Sequence, residues 1–530
     1  MASKAATGGA VVLLTLAAGQ FLMTLDSSVM NVSIAQVAAD VGTDVTGIQS
    51  AITAYTLVMA ALMLTGAKIG ALIGRKRAFT IGCVIYAAGS LTTALAQNLP
   101  TLLLGWSLLE GIGAALILPA IVALVAANFP TEKRPAAYGL VAAAGAVAVA
   151  IGPLIGGFAT TYFSWRWVFA GEVLLTAVIL LLARRQHEEK PEGGQLDLVG
   201  AALSALGLSL IVFGVLRSGV WGWIKPKEGA PDWLHVSATV WLVLGGVFVL
   251  FLLGRWLDRR ERAHKEPLFE RGLLANLQLR GGLLMFFFQY LVQAGVFFIV
   301  PLFLSVALGL SAIATGVRIL PLSLSLLATA IGIPKLWPKV SPRRIVRLGL
   351  FALLAGAISL IGGLTPSAGA EIVLIPMLLV GAGIGALASQ LGAVTVSAVP
   401  DDKSPQVGGL QNTMTNLGAS LGTALAGSIL IASLTTSFVG AIKENPAIPD
   451  RVAQNAEVNL ASGVPFVSDA QLQQAMDDAN VPKRQADAAL SEYKDARLDG
   501  LRAALAVLAL VCLLALFLST RVPNEQPGVT

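Results

Sequence analysis

The chain has 530 residues, of which 56% are hydrophobic and only 12% charged, and its mean hydropathy is +0.78. A water-soluble domain carries about a quarter charged residues, so this balance excludes an ordinary soluble globule and makes lipid the main solvent. The net charge of +6 does not mark a nucleic-acid binder, because the basic residues cluster in short loops between apolar blocks, where they report orientation.

The apolar blocks are about 20 residues long, enough as helices to cross a hydrocarbon core of roughly 30 Å at 1.5 Å per residue. The first, from about Ala10 to Val32, is too long for a secretory signal, contains Asp26 and Asn31, and has no convincing small-residue cleavage site, so it reads as a retained helix. In chain order the pattern predicts six helices over about 11–32, 48–71, 78–97, 101–125, 137–161 and 167–184. Eight more are predicted over about 196–216, 237–256, 281–306, 312–334, 345–364, 371–396, 407–433 and 500–520. The fold class is therefore all-α integral membrane with about fourteen spans.

An even count leaves both termini on one side, and the loop charges choose it. Alternate loops hold Arg75, Lys76 and Arg77, then Lys133 and Arg134, then Arg184, Arg185 and Lys190, then a basic stretch from Arg255 to Arg280, then Lys335, Lys339, Arg343, Arg344 and Arg347. The opposite loops hold Arg166, Arg217, Lys225 and Lys227. Both termini are expected to be cytoplasmic in a cell-membrane protein. The polar segment 435–497 then lies outside, as a lid or as a solvated connector. Within it, Ser468 with Gln471 forms a capping-box pattern, and the stretch after Pro482 is expected to run as helix into the last span.

Cys83 and Cys512 fall in separate apolar blocks, which leaves neither a disulfide framework nor a clustered metal site. His187, His235 and His264 are scattered in loops, and no Ser, His and Asp set is apparent, so an enzyme is not expected. No phosphate-cradling G-x-x-x-x-G-K-S/T loop is present, which argues against ATP as direct fuel. Gly381-Ala382-Gly383-Ile384-Gly385 lies inside an apolar block without a strand before it and reads as helix packing, not as a dinucleotide site.

Several segments in order carry a family resemblance. Leu25-Asp26-Ser27-Ser28-Val29-Met30-Asn31-Val32 resembles the pattern L-D-x-T-x-x-N-V, and Gly152-Pro153-Leu154-Ile155-Gly156-Gly157 matches G-P-x-x-G-G, with Trp165-Arg166-Trp167 following. Lys68 to Arg77 is similar to a loop G-x-L-x-D-R-x-G-R-K. Together these resemble the fourteen-span drug:proton antiporter branch of the major facilitator superfamily. The resemblance implies two six-helix bundles, about 11–184 and 281–520, with two additional helices at 196–256 between them. It also implies a proton-coupled exporter of amphipathic compounds, a multidrug efflux protein working by alternating access without a metal or organic cofactor. Its expected partners are small-molecule substrate, protons and membrane lipid, and the chain is expected to act as a monomer. Export of one endogenous metabolite, lipid or siderophore is the alternative, and a transporter-like sensor or scaffold the non-transport one. In this reading Gly152, Pro153, Gly156, Gly157, Gly74, Arg75 and Lys76 serve gating.

The departures are as informative. Ala71 and Leu72 stand where the loop pattern has its acid and first arginine, and Ser107 stands where the fourth helix would have a buried arginine. Glu110 replaces a usual glutamine, and Glu172 a common asparagine.

An ionisable side chain inside a span costs about 2.5 to 3.5 kcal/mol on insertion scales, so each is a functional candidate. Asp26, Glu110, Glu172 and Arg318 lie well inside apolar blocks and are the candidates for proton coupling, whereas Lys68 is close enough to a helix end to snorkel. The other reading of the acids is as structural partners, of Arg318 for example, the one deep cation. Candidate substrate contacts combine aromatic and amide groups: Asp26, Asn31, Phe287, Gln289, Tyr290, Gln293, Gln390, Gln411 and Asn412. Such residues also serve as lipid-facing packing or interhelical glue.

Overall fold

A computed structural model describes residues 2–129, 134–184, 191, 194–227, 229–400, 403–449, 460 and 463–524. Lys133, Arg185, Lys190 and His187, the side chain of Arg134, and parts of the predicted 435–497 segment lie outside the described residues.

The chain is a bundle of long helices. In order they are α1 (Ala2–Asp40), α2 (Val45–Ile73), α3 (Arg75–Ala94), α4 (residues 99–128), α5 (Arg134–Tyr162), α6 (Arg166–Ala183), α7 (Leu198–Trp221) and α8 (Ala238–Arg262). Then follow α9 (Leu277–Leu302, continued by the π-helical Phe303–Ala307), α10 (Ala312–Leu336), α11 (Pro342–Gly363), α12 (Leu374–Val396), α13 (Ser404–Glu444), the short α14 (Asp469–Asp478) and α15 (Lys483–Leu518). A two-stranded ribbon, β1 (Asp232–Trp233) with β2 (Val236–Ser237), sits between α7 and α8. Among the described residues thirteen helices are long and apolar enough to cross a membrane. The expected fourteenth, α3, is long enough at 20 residues, but Arg75, Lys76 and Arg77 at its start and its Ser and Thr residues lower its apolarity. Buried neighbours supply what lipid does not, for α3 packs against α4 and α6.

Polar side chains set where the spans begin. Asp44, Asn98, Asp197, Asn276, Ser311 and Ser341 each accept a hydrogen bond from an amide of the first turn of the helix they precede. Such caps stabilise a helix start by about 1 kcal/mol each. Ser468 and Gln471 form the reciprocal capping box at α14. The polar 435–497 segment is less of a loop than its composition suggests: α13 runs on to Glu444 and α15 starts at Lys483, so both helices project beyond the apolar layer.

The contacts sort the helices into two sets. α1 packs on α5, and α3 on α4 and α6, while α9 packs on α13, α12 on α10 and α11, and α15 on α13 and α11. The sets meet along two seams, α2 with α13 and α5 with α10. α7 and α8 pack on each other, and α7 leans on the α2–α13 seam.

Glycine makes the α5–α10 seam. A Cβ on Gly157 would lie 2.6 Å from the Ala312 carbonyl oxygen, and one on Gly316 would lie 2.3 Å from the Pro153 carbonyl oxygen. Gly152 and Gly156 turn the other way and let α5 approach Ser28 and Val29 of α1. The Gly-Pro motif therefore presents one face to each set, and without side chains the backbones come within van der Waals reach. Gly381 and Gly385 do the same for α12 against α10, where added Cβ atoms would meet the Leu322 and Leu326 carbonyl oxygens at 2.0 and 2.3 Å. Gly74, at φ +100°, is the corner between α2 and α3. At the opposite ends, Asp40 of α1 accepts from Trp165 Nε1 at 3.0 Å and from Arg166 at 3.2 Å, and Arg166 also donates to the Ala96 carbonyl at 2.7 Å.

Gly316→Ala should force α5 and α10 apart, since the obstructing atom is backbone and has nowhere to go. We expect a loss of about 1 to 3 kcal/mol, read as a lower unfolding temperature of the purified protein. Gly171→Ala, where no atom lies within 4 Å, should leave that temperature unchanged or raise it.

Candidate functional site

Three carboxyl groups meet in the interior of the first set. Asp26 from α1, Glu110 from α4 and Glu172 from α6 are all buried, and one oxygen from each lies within 4.8 Å of the others. Hydroxyl groups on one face of α3 serve them. Tyr86 donates to Glu172 at 3.1 Å, Ser90 to Glu172 at 3.3 Å, and Thr93 to Glu110 at 3.1 Å. These positions are spaced four and three residues apart, as one helix stripe requires. The donors do not saturate the acids, for Glu110 Oε2 and Glu172 Oε1 have no hydrogen-bond partner.

Asp26 receives its hydrogen bonds from Trp106, whose Nε1 lies 2.9 Å from Oδ1 and 3.1 Å from Oδ2. Trp106 and Glu110 both lie in a π-helical stretch, Leu103–Glu110, inside α4. Single π turns recur at functional sites because they re-aim side chains that a regular helix would turn elsewhere. The Trp106 ring stacks on Tyr55 of α2, with centroids 5.3 Å apart and planes 17° from parallel. Ser107, at the position of the missing arginine, donates to the Ala51 carbonyl at 2.8 Å and so joins α4 to α2.

On the other side of Trp106 and Tyr55 opens a central cavity of about 220 Å³ between the two sets. α1 lines it with Gln20, Thr24, Ser27 and Asn31, α9 with Tyr290, Gln293 and Phe297, and α13 with Asn412, Thr415, Asn416 and Thr423. Helix phase explains which expected contacts fail. Asp26 sits one residue, about 100°, from the Ser27 stripe and faces α4, so it stands behind Trp106 and not in the cavity wall. Gln289 is likewise buried one residue behind Tyr290, and Gln411 one residue before Asn412, where it donates to Thr395. Phe287 presents its backbone to Gly418 of α13, and Gln390 donates to Ser389 on α12. Asn31, Tyr290, Gln293 and Asn412 are the expected contacts that do line the cavity.

Arg318 corrects the expectation of a deep cation. It is exposed on α10, where it lines a separate surface pocket together with Glu371. It is therefore no partner of the acids. Glu172, expected inside its span, joins Asp26 and Glu110 in the buried trio. Tyr55, Trp106 and the α3 hydroxyls were missed because none is charged at neutral pH; Trp106, four residues before Glu110, was the available signal.

Two further cavities flank the centre. One of about 890 Å³ lies between the ends of α1, α5, α9 and α10 and is bordered by Phe466, Val467, Ser468 and Gln471 of the segment before and into α14. Arg497 of α15 ties that segment down, donating to the Val467 carbonyl at 3.0 Å and to Asp469 at 2.9 Å, while Tyr493 donates to the Pro465 carbonyl at 2.8 Å. The other cavity, of about 180 Å³, lies at the opposite end around Lys68, Ala71 and Phe269. There Lys68 pairs with Glu266, and Lys403 with Glu270, and the Lys403 ammonium holds the Glu270 carboxyl below the usual carboxylate range. Gly74 and Arg75 mark this same end, and Lys76 donates to the Arg184 carbonyl at 3.1 Å.

Comparison with known proteins agrees with this architecture. The family model of the Major Facilitator Superfamily matches residues 16–423. The chain is 26% identical over 461 residues to the multidrug resistance protein Stp of Mycobacterium tuberculosis, covering 86% of this chain and 82% of that one. It is 30% identical over 424 residues to the puromycin resistance protein pur8 of Streptomyces alboniger, covering 79% and 81%. A crystal structure of a bacterial homologue of the human lysosomal transporter Spinster, inward-facing and unoccupied, matches with a TM-score of 0.63 at 14% identity over 99% of both chains, which speaks to the fold. The chain belongs to the Major Facilitator Superfamily and is a multi-pass membrane transporter.

Proposed function

We propose that this chain is a proton-coupled antiporter that exports amphipathic compounds by alternating access, with both termini cytoplasmic and the α13–α15 connection outside. The observation that carries the reading is one side chain wide: Trp106 separates the central cavity of about 220 Å³ from three buried acids. Two carboxylates 4.8 Å apart repel by about 3 kcal/mol at an effective dielectric of about 20, so the trio takes up and gives up protons as a unit. A substrate that presses on the Trp106–Tyr55 stack shifts the indole N–H on Asp26 and so changes how tightly that unit holds its proton. Substrate and proton then compete through a shared wall without touching. The names of the relatives, multidrug and puromycin resistance, support export as the direction of transport.

The α2–α13 and α5–α10 seams suit rocking of the two sets about the cavity, as alternating access needs. Export of a single endogenous compound uses the same parts and differs only in selectivity.

In proteoliposomes with an imposed proton gradient, the intact chain should move an amphipathic dye against its gradient, and Asp26→Asn and Glu110→Gln should each abolish the gradient-driven part. Undiminished coupling in both variants, with normal expression, sinks the assignment of the acids. Trp106→Phe keeps a ring on Tyr55 and removes the N–H. It should bind substrate within about threefold of the parent while substrate-induced proton release in detergent falls about tenfold; unchanged release would show that the indole is not the link.

A further inference from the structure

The outside of the second helix set carries two charges that the protein itself does not neutralise. Arg318 of α10 and Glu371, in the 3-10 turn Ala370–Val373 that leads into α12, line one surface pocket of about 410 Å³. Both are exposed, and among the described residues neither makes an ion pair or a hydrogen bond. The rest of that wall is apolar, with Val317, Pro321, Val373 and Leu374 among its residues.

The setting of this pocket is the edge of the lipid layer. Arg318 stands about 9 Å beyond the start of α10 at Ala312, at 1.5 Å per residue, and Glu371 belongs to the first turn of the span that starts at Ala370. Two exposed apolar stripes begin in the pocket and run on along the span: Val317, Leu324 and Ile331 on α10, and Leu374 and Leu378 on α12. The two helices pack on each other, so both stripes continue side by side on the face that meets hydrocarbon. A charge at such a boundary is costly unless a headgroup answers it. Arg318 alone would accept any phosphate. Glu371 adds a second requirement, because it repels a headgroup that is only negative and attracts one that also carries a cation.

We infer that this pocket binds a phosphatidylethanolamine, with the lipid phosphate on Arg318, its primary ammonium on Glu371 and an acyl chain along the exposed apolar face of α10 and α12. A guanidinium offers a phosphate two parallel N–H donors, and a primary ammonium offers a carboxylate N–H donors that the quaternary amine of phosphatidylcholine lacks. Phosphatidylglycerol satisfies Arg318 but meets Glu371 as a like charge. A water-soluble molecule with the same headgroup leaves the apolar wall uncovered. In the orientation proposed above the site opens to the outer leaflet, and the lipid preference itself depends on neither export nor proton coupling.

The test offers the purified full-length chain equal amounts of phosphatidylethanolamine, phosphatidylcholine and phosphatidylglycerol with identical acyl chains and counts the bound lipid by native mass spectrometry. The ethanolamine lipid should be retained at least about fivefold over either of the others. Arg318→Gln should lower its retention about fivefold or more, whereas Glu371→Gln should move the preference toward phosphatidylglycerol. Both side chains are exposed, so the unfolding temperature should be unchanged; if one variant misfolds, the other carries the test. Equal retention of the three lipids, a parent that prefers phosphatidylcholine or phosphatidylglycerol, no retained lipid, or an ethanolamine preference that survives both variants overturns the inference. Displacement of the lipid by soluble phosphoethanolamine at the same concentration does so too, since it would make the ligand a free zwitterion.

Discussion

Three acids in an apolar interior with no cation among them are the constraint around which the first helix set is arranged. The described residues give Asp26, Glu110 and Glu172 no ion pair; they give them one indole and three hydroxyl donors. That requirement accounts for features that are costly elsewhere in a membrane protein. α3 gives up apolarity to carry Tyr86, Ser90 and Thr93 on one stripe, and it survives in the bundle because its neighbours bury it. The π-helical stretch holds Trp106 and Glu110 together against the trio, at the expense of the regular hydrogen-bond ladder of α4.

The same trio stands beside a cavity whose described lining carries no charged side chain. In a carrier whose acids touch the substrate, charge selects the ligand; in the proposed exporter the acids stand behind Trp106, and the cavity wall presents amides and hydroxyls.

Much of the fold was legible in the sequence, because a bilayer leaves few options: apolar length names a span, and cap residues name its start. The Gly152 to Gly157 motif was legible too, as a run of small residues, although only the packing reveals that Gly157 serves α10 while Gly152 and Gly156 serve α1. What composition hides is helix phase. Asp26 and Ser27 are neighbours in sequence, yet one faces Trp106 and the other the cavity; Arg318 lies two residues from the Gly316 contact, yet points away from the core. α3 shows the converse, since a helix that packs against protein need not look apolar enough to face lipid.

The departures from the expected pattern also fit one physical account. Where Ala71 and Leu72 lack the loop charges, the same end of the molecule carries Lys68 with Glu266 and Lys403 with Glu270, pairs that join α2 and α13 to the connection between α8 and α9. Partly exposed pairs of this kind are worth about a kcal/mol or less each. At the other end the connection is of a different kind: Arg497, only 4% exposed, holds the Val467 carbonyl and Asp469 together beside the Tyr493 ring. A buried guanidinium is costly to strip of its partners, because its own charge is left dry. The asymmetry follows from what closes each end. Around Lys68 the charges are pairwise and partly exposed, whereas the segment bordering the larger cavity is fastened to α15 of the second helix set.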